Sequence, residues 1–207
     1  MDEIFETVSS HLHELGIECE LIKVPPTELV KVLKAEKKIG LPMPDSLKKL
    51  YTEYANGLVF HWSHGDDFGS LHIPNLTDLV SNRRAWAKLV LWKDEYEFPH
   101  VQDPELAKQT NSRMKSWLPL IAEGNGDCFC LDCGVRGGPV VFDQHDWFDG
   151  GSGENGHRIA PSLTSFVARW GSVCFTWPKG CYWPSTFIRH GVSWTSRHFK
   201  KEYIIPR

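Results

Sequence analysis

The sequence lacks both the long apolar run of a membrane-spanning chain and the charge excess of a polyanion-binding one. No apolar stretch approaches the roughly 18 residues that a transmembrane helix requires. Lysine and arginine number 23 against 26 acidic residues, which gives a net charge of −3. Because this balance is slightly acidic, it provides no overall attraction to nucleic acid or to an anionic membrane. We therefore expect neither direct nucleic-acid binding nor membrane association.

An export signal is lacking as well. The opening stretch MDEIFETVSSHLHELG is acidic and amphipathic, whereas a signal peptide has a basic start followed by an apolar core. We therefore expect a cytoplasmic protein whose six cysteines are reduced thiols. With 207 residues, 41% of them hydrophobic, the chain can build a core without disulfides or a metal.

Helical patterns fill the first quarter of the chain. The first predicted helix covers residues 2–15, and the third begins near Pro44 and ends at Asn56-Gly57. The second begins after Pro25-Pro26 and ends at Gly40. Its predicted inward side chains are Leu29, Val32, Leu33 and Ile39. The lysines near the end of this second helix are interpreted as a solvated face.

Strand patterns dominate the remainder. Predicted strands are 58–62, 71–73, 117–122, 128–132, 140–143 and 157–160. Further helices are expected from Asn75, from Asp103-Pro104 and from Pro161. The aromatic, alternating residues after Gly171 predict one or two additional strands.

The stretch CFCLDCG (128–134) concentrates three cysteines and suggests a metal site. Cys130-x-x-Cys133 has the spacing of one half of a zinc site. A tetrahedral structural site needs a second ligand pair, yet Cys174 and Cys181 are seven residues apart and no Cys-x-x-His follows them. The sequence therefore predicts no metal site.

The same stretch also fits a buried strand. In a strand Cys128 and Cys130 share one face, while Phe129 and Leu131 share the other. Free cysteine packs as a small hydrophobic residue and is often fully buried. We therefore predict structural thiols at these positions.

Several segments in order resemble the SUKH superfamily, which includes yeast cell-wall-synthesis regulators and many bacterial immunity proteins. The resemblance spans roughly residues 27–170. The matching features are Glu36 before Gly40, Met43-Pro44, Asn56-Gly57, Trp117 with Pro119, Gly126-Asp127, Gly138-Pro139-Val140 and Ile159-Ala160. The N-terminal helix and residues 171–207 have no counterpart in the family pattern.

The resemblance implies an α+β fold with a largely antiparallel curved sheet flanked by helices. It implies no enzyme activity, no catalytic residues and no cofactor. Bacterial members look like cytosolic proteins that bind and neutralise a cognate toxin, often a nuclease, of polymorphic or contact-dependent systems. Fungal members act as regulatory adaptors in cell-wall signalling, which is the alternative function. We expect residues 1–170 to form the SUKH-like domain and residues 171–207 to be a strand-rich extension packed on it.

The loop FDQHDWFDGGSGEN (142–155) is the strongest candidate for a functional surface. His145 between two aspartates would suit acid–base or divalent-metal chemistry, and a solvated glycine-rich connection would need no function at all. A third interpretation is a recognition surface, with an acidic field around two aromatic anchors that suits a basic partner. Its partner-binding residues would be Asp143, Asp146, Trp147, Phe148, Asp149 and Glu154.

A smaller candidate is HWSHGDDFGS (61–70), where His61 and His64 precede Asp66 and Asp67. These residues could bind a metal or extend the acidic surface. Hairpin tips commonly collect such side chains, and we favour that plain interpretation.

Overall fold

The computed structural model describes residues 1–95, 104–122, 126–145, 155–189 and 191–206. Its helices are α1 (Asp2–Glu14), α2 (Leu29–Ile39), α3 (Asp45–Lys49), α4 (Leu76–Glu95), α5 (Pro104–Met114) and α6 (Leu163–Gly171). Its strands are β1 (Cys19–Lys23), β2 (Leu58–His64), β3 (Asp67–Ile73), β4 (Trp117–Ala122), β5 (Cys128–Asp132), β6 (Val140–Asp143), β7 (Arg158–Ala160), β8 (Phe187–Ile188) and β9 (Gly191–Val192). The predicted α+β class is confirmed.

The first sheet is antiparallel, with strand order β1-β2-β3. The hairpin of β2 and β3 pairs Leu58 with Ile73 and His64 with Asp67, so its strands are longer and its turn is tighter than the sequence predicts. Strand β1 was not predicted. Its residues CELIK are only partly buried, because β1 lies at the edge of the sheet, and they therefore show little apolar alternation.

The second sheet is antiparallel, with order β4-β5-β6-β7, and helices cover both of its faces. Phe129 and Leu131 share one face of β5, as its alternation predicts, and this face packs in the main core with α6. The opposite face packs under α4 and α5 in a second cluster, made of Trp86, Val90, Met114, Trp117, Cys128, Cys130 and Val141. Because both faces are buried, β5 and β6 contain no exposed position.

Helix α2 buries two of its four predicted inward side chains, Val32 and Ile39. Val32, Ala35 and Ile39 lie in the core, whereas Leu29 and Leu33 are 54% and 46% exposed. The prediction that these two leucines point into the core is wrong. Helix α4 lies on the side of α2 that carries Ala35, and Leu29 and Leu33 lie outside that contact.

The residues after α6 wrap back over the main core. Trp183 packs against Phe129 with ring centroids 5.0 Å apart and against Trp170 at 5.5 Å. The expected C-terminal strands are present as the short antiparallel hairpin of β8 and β9. Short 3₁₀ turns at Trp183–Thr186 and Lys201–Tyr203 form much of the remainder.

Among the described residues, no helix combines the length and the apolar character needed to cross a bilayer.

Candidate functional site

The predicted recognition loop begins at the end of β6. Asp143, which pairs with Cys128 in the sheet, is 2% exposed. Its carboxylate lies beneath the surface, contrary to the expectation that it contributes to an exposed acidic patch. The other predicted contact residues, Asp146, Trp147, Phe148, Asp149 and Glu154, lie outside the described residues.

Side-chain contacts close the base of this loop. The backbone N–H of His145 donates to Oδ1 of Asp127 at 3.0 Å, and Nδ1 of His145 lies 2.9 Å from the same oxygen. On the other side, Oδ1 of Asn155 accepts the N–H of Gln144 at 2.9 Å. We call Asp127, Gln144, His145 and Asn155 the loop stem. Asp127 is 6% exposed, whereas the side chain of His145 is 47% exposed, so their contacts are only partly shielded from water.

Backbone contacts continue the stem into the sheet. The N–H of Gly156 donates to the carbonyl of Phe142 at 2.8 Å, and the N–H of Phe142 donates to the carbonyl of His157 at 2.9 Å. Gly126 adopts φ +98° against the His145 ring, where a Cβ would come within 3.0 Å of the ring carbon Cγ. A side chain at this position would therefore push the stem apart.

The cysteines of the second sheet are packed as structural residues. Cys128 and Cys130 belong to the second cluster, and Cys133 belongs to the main core. Burial raises the pKa of Cys133 to about 12 and holds the pKa of Cys130 well above its ordinary value. A thiol with a raised pKa is a poor nucleophile and a poor metal ligand, because both roles need the thiolate. Among the described residues, no group of three or more His, Cys, Asp or Glu side chains is arranged to hold a metal.

The polar residues of the 61–70 hairpin take part in structural contacts. Asp67 accepts hydrogen bonds from the ammonium of Lys200 and from the hydroxyl of Tyr203. His61 lies 3.4 Å from a carboxylate oxygen of Glu20 on β1. The hairpin therefore holds the C-terminal residues and the edge strand, which fits the plain interpretation.

A groove between α2 and α4 was missed by sequence reasoning. It has a volume of about 380 Å³, and Lys31, Lys34, Lys38 and Arg84 line it. The three lysines repeat at intervals of three and four residues, which places them on one flank of a helix. That spacing was a usable signal, but the position of Arg84 opposite them depends on how α4 packs on α2.

The residues that carry the family resemblance support the turn between α2 and α3. Oε1 of Glu36 accepts the N–H of Met43 at 2.6 Å and lies 2.7 Å from the ammonium of Lys48. Partial burial opposes ionisation of Glu36, but the contacts with Lys48 and Met43 outweigh it and lower the pKa below its ordinary value. Gly138 adopts φ +59° so close to Pro44 that a Cβ would lie 2.1 Å from the ring. Only glycine fits there, and this contact joins α3 to the second sheet.

Comparison with known proteins identifies the family of this chain. No curated protein matches the chain. The family model described as the SMI1 / KNR4 family (SUKH-1) matches residues 26–169, which include Glu36, Pro44 and Gly138. Since this match covers more than half of the chain, the protein belongs to the SMI1/KNR4 family, SUKH-1.

Proposed function

We propose that the protein is an immunity protein that binds and neutralises a cognate toxin, possessing no catalytic activity of its own. The observation that carries the proposal is the loop stem, which anchors an acidic, aromatic loop at both ends on a doubly covered sheet. A loop whose ends are fixed loses less conformational freedom on binding, and less of its contact energy is spent on ordering. Family membership supports a protein-binding role.

The loop composition supports a basic partner. Residues 146–154 contain three carboxylates, at 146, 149 and 154, together with Trp147 and Phe148. Acidic side chains accelerate the encounter with a basic surface, and aromatic anchors supply much of the energy of a docked interface. A nuclease toxin carries such a basic surface, because it binds phosphates. Neutralisation would be steric, because an interface of about 1,600 Å² would cover the catalytic face of the toxin.

A binding role is also supported by the state of the reactive side chains. Three side chains that the sequence singles out for chemistry make structural contacts: the thiols of Cys130 and Cys133 are buried, and His145 is hydrogen-bonded to Asp127. Catalytic nucleophiles and bases usually lie in clefts with access to substrate.

Binding kinetics with the product of the neighbouring gene, which the proposal expects to contain the toxin domain, test the proposal. Replacing Asp146, Asp149 and Glu154 by serine should lower the association rate by about tenfold at low salt, and by less at high salt, where charges are screened. Trp147→Ala should instead accelerate dissociation, with a loss of about 2 kcal/mol or more if the ring is a central anchor. The matched control replaces Glu6, Glu14 and Glu53 by serine, which changes the net charge by the same amount. Glu6 and Glu14 are exposed on α1, and Glu53 is exposed in the helical turn Leu50–Tyr54 that follows α3.

Protection of cells against the toxin should fall in the same order as affinity. Full protection by a variant with all four loop substitutions would place the interface elsewhere and contradict the proposal. A chain that protects no cell but copurifies with host proteins of cell-wall signalling would favour the regulatory-adaptor alternative.

A further inference from the structure

The groove between α2 and α4 has a basic wall over an apolar floor. Its floor is formed by Ala35, Leu76 and Val80, each less than a tenth exposed. The cations Lys31, Lys34 and Lys38 line it from α2, and Arg84 lines it from α4. The three lysines span seven residues of helix, or about 10 Å. Their spacing matches that of side chains on one face of a second helix lying in the groove.

Within the described part of the chain, no acidic side chain neutralises the charge of this groove. All of its lining residues are described, and none is acidic. Lys31, Lys34, Lys38 and Arg84 make no ion pair with any residue that the structure describes. The one carboxylate on α2, Glu36, is engaged by Lys48 and by the N–H of Met43. A chain with a net charge of −3 therefore presents a locally positive surface here.

One exposed apolar side chain of α2, that of Val30, adjoins the cations, and two more lie farther round the helix. Leu29, Val30 and Leu33 are 54%, 50% and 46% exposed. Val30 is four residues before Lys34, so the two side chains are neighbours on the helix surface. Large apolar side chains grouped on one exposed face mark interaction surfaces more often than isolated ones do.

We propose that the α2–α4 groove, with the adjoining side chain of Val30, binds an acidic amphipathic helix of a protein partner. Carboxylates on the partner would pair with the lysines and Arg84, and its leucine-like side chains would pack over Val30 and the apolar floor. RNA fits less well, because none of the groove-lining residues is aromatic and a phosphate backbone would leave the apolar floor and Val30 uncovered. This surface is opposite in charge to the 143–154 loop, so it provides a second binding site for a partner of different chemistry.

The test measures binding of the full chain to a fluorescent 18-residue peptide designed as a helix, with glutamate on one face and leucine on the adjacent face. A scrambled peptide of equal composition and a 12-nucleotide RNA are the comparison probes. We expect the helical peptide to bind more tightly than either. Lys34→Glu with Arg84→Glu should weaken that binding by about tenfold or more, because attraction becomes repulsion at two groove positions.

The matched control is Arg136→Glu with Lys201→Glu, which changes the net charge equally at exposed sites outside the groove. It should change the affinity by less than about twofold. A third variant, Val30→Ser, should weaken binding at high salt as well, because apolar contact is not screened. Circular dichroism checks that all three variants fold, since each alters exposed side chains.

Equal losses in the groove pair and the control pair would overturn the proposal, because they would show diffuse attraction. Tighter binding of the RNA, or no binding of the helical peptide, would overturn it too. The loop variant of Asp146, Asp149 and Glu154 should bind the peptide as the unaltered chain does. Failure of toxin binding and failure of groove binding are therefore distinguishable.

Discussion

Asp67 joins the end of the chain to the first sheet. It accepts from the hydroxyl of Tyr203 at 2.9 Å and from Lys200, and the Tyr203 ring packs 4.7 Å from that of Trp62. The Lys200 hydrogen bond, aided by that of Tyr203, holds the pKa of Asp67 below its ordinary value of 3.8, although partial burial opposes this. Since the pKa is lower in the folded protein, the contact stabilises the fold above pH 3.8 and is lost as the pH falls through the folded pKa.

Asp67→Asn should therefore remove part of the acid sensitivity of stability. The free energy of unfolding, measured with urea at about pH 6 and about pH 3, should fall less between these conditions in the variant than in the unaltered chain. The neighbouring exposed residue supplies the control, because Asp66→Asn removes the same charge without breaking the contacts with Lys200 and Tyr203. Equal acid sensitivity of the Asp67 variant and the unaltered chain would show that the contact has no linkage to folding.

Cys130 should act as a packing residue and not as a metal ligand. Cys130→Ser should lower the free energy of unfolding by about 1–3 kcal/mol, because it buries a hydroxyl, which is more polar than the thiol, in a mainly apolar cluster. Cys19→Ser, at a partly exposed position, should change it by less than about 0.5 kcal/mol. Elemental analysis of the reduced protein should find no stoichiometric metal. About one zinc per chain, lost in the Cys130 variant, would contradict the expectation.

At the scale of elements, the residues after α6 supply a large part of the aromatic core. Phe175, Trp183 and Phe199 are fully or almost fully buried, and Trp183 contacts rings of both the second sheet and α6. The N–H of Ile205 donates to the carbonyl of Ser172 at 2.9 Å, which brings the end of the chain back to the end of α6. We propose that residues 171–207 fold together with residues 1–170.

Trp183→Ala should lower the free energy of unfolding by about 3–5 kcal/mol through the cavity that it creates. Truncation after Trp170 should have a larger effect, seen as aggregation or a lower melting temperature. Ile188→Ala is the control, because Ile188 is 52% exposed and its loss should cost less than about 0.5 kcal/mol. A truncated chain that melts at the same temperature would show that residues 171–207 form a separate appendage.

At the scale of the whole molecule, one core joins α1, α2, both main sheets, α6 and the C-terminal residues. The second cluster is separate from this core and lies on the opposite face of the second sheet. We expect urea unfolding to give one cooperative transition, in which the curves from tryptophan fluorescence and from far-ultraviolet circular dichroism coincide. A chelator should leave the midpoint of this transition unchanged. Separate transitions by the two probes would instead indicate that part of the molecule unfolds independently.

The sequence alone determined those features that depend on neighbouring residues. The β2–β3 hairpin, β4 to β6, α6 and the two faces of β5 follow from local alternation and from glycine and proline signals. The α+β class followed from the family resemblance, which depends on the order and spacing of short motifs such as Glu36 with Pro44. Buried thiols were predictable because a lone Cys-x-x-Cys has no second ligand pair nearby.

Only the tertiary structure decided which apolar and charged side chains are covered. Strand β1 depends on pairing with β2, and its own residues alternate too weakly to indicate it. Leu29 and Leu33 are apolar, as core residues usually are. Helix α4 covers the side of α2 that carries Ala35, however, and leaves these two leucines exposed. The sequence likewise places Asp143 in an acidic loop, whereas strand pairing with β5 buries its carboxylate. Burial is a property of the distant segments that pack together, so local periodicity indicates a face of a helix or strand without showing what covers it.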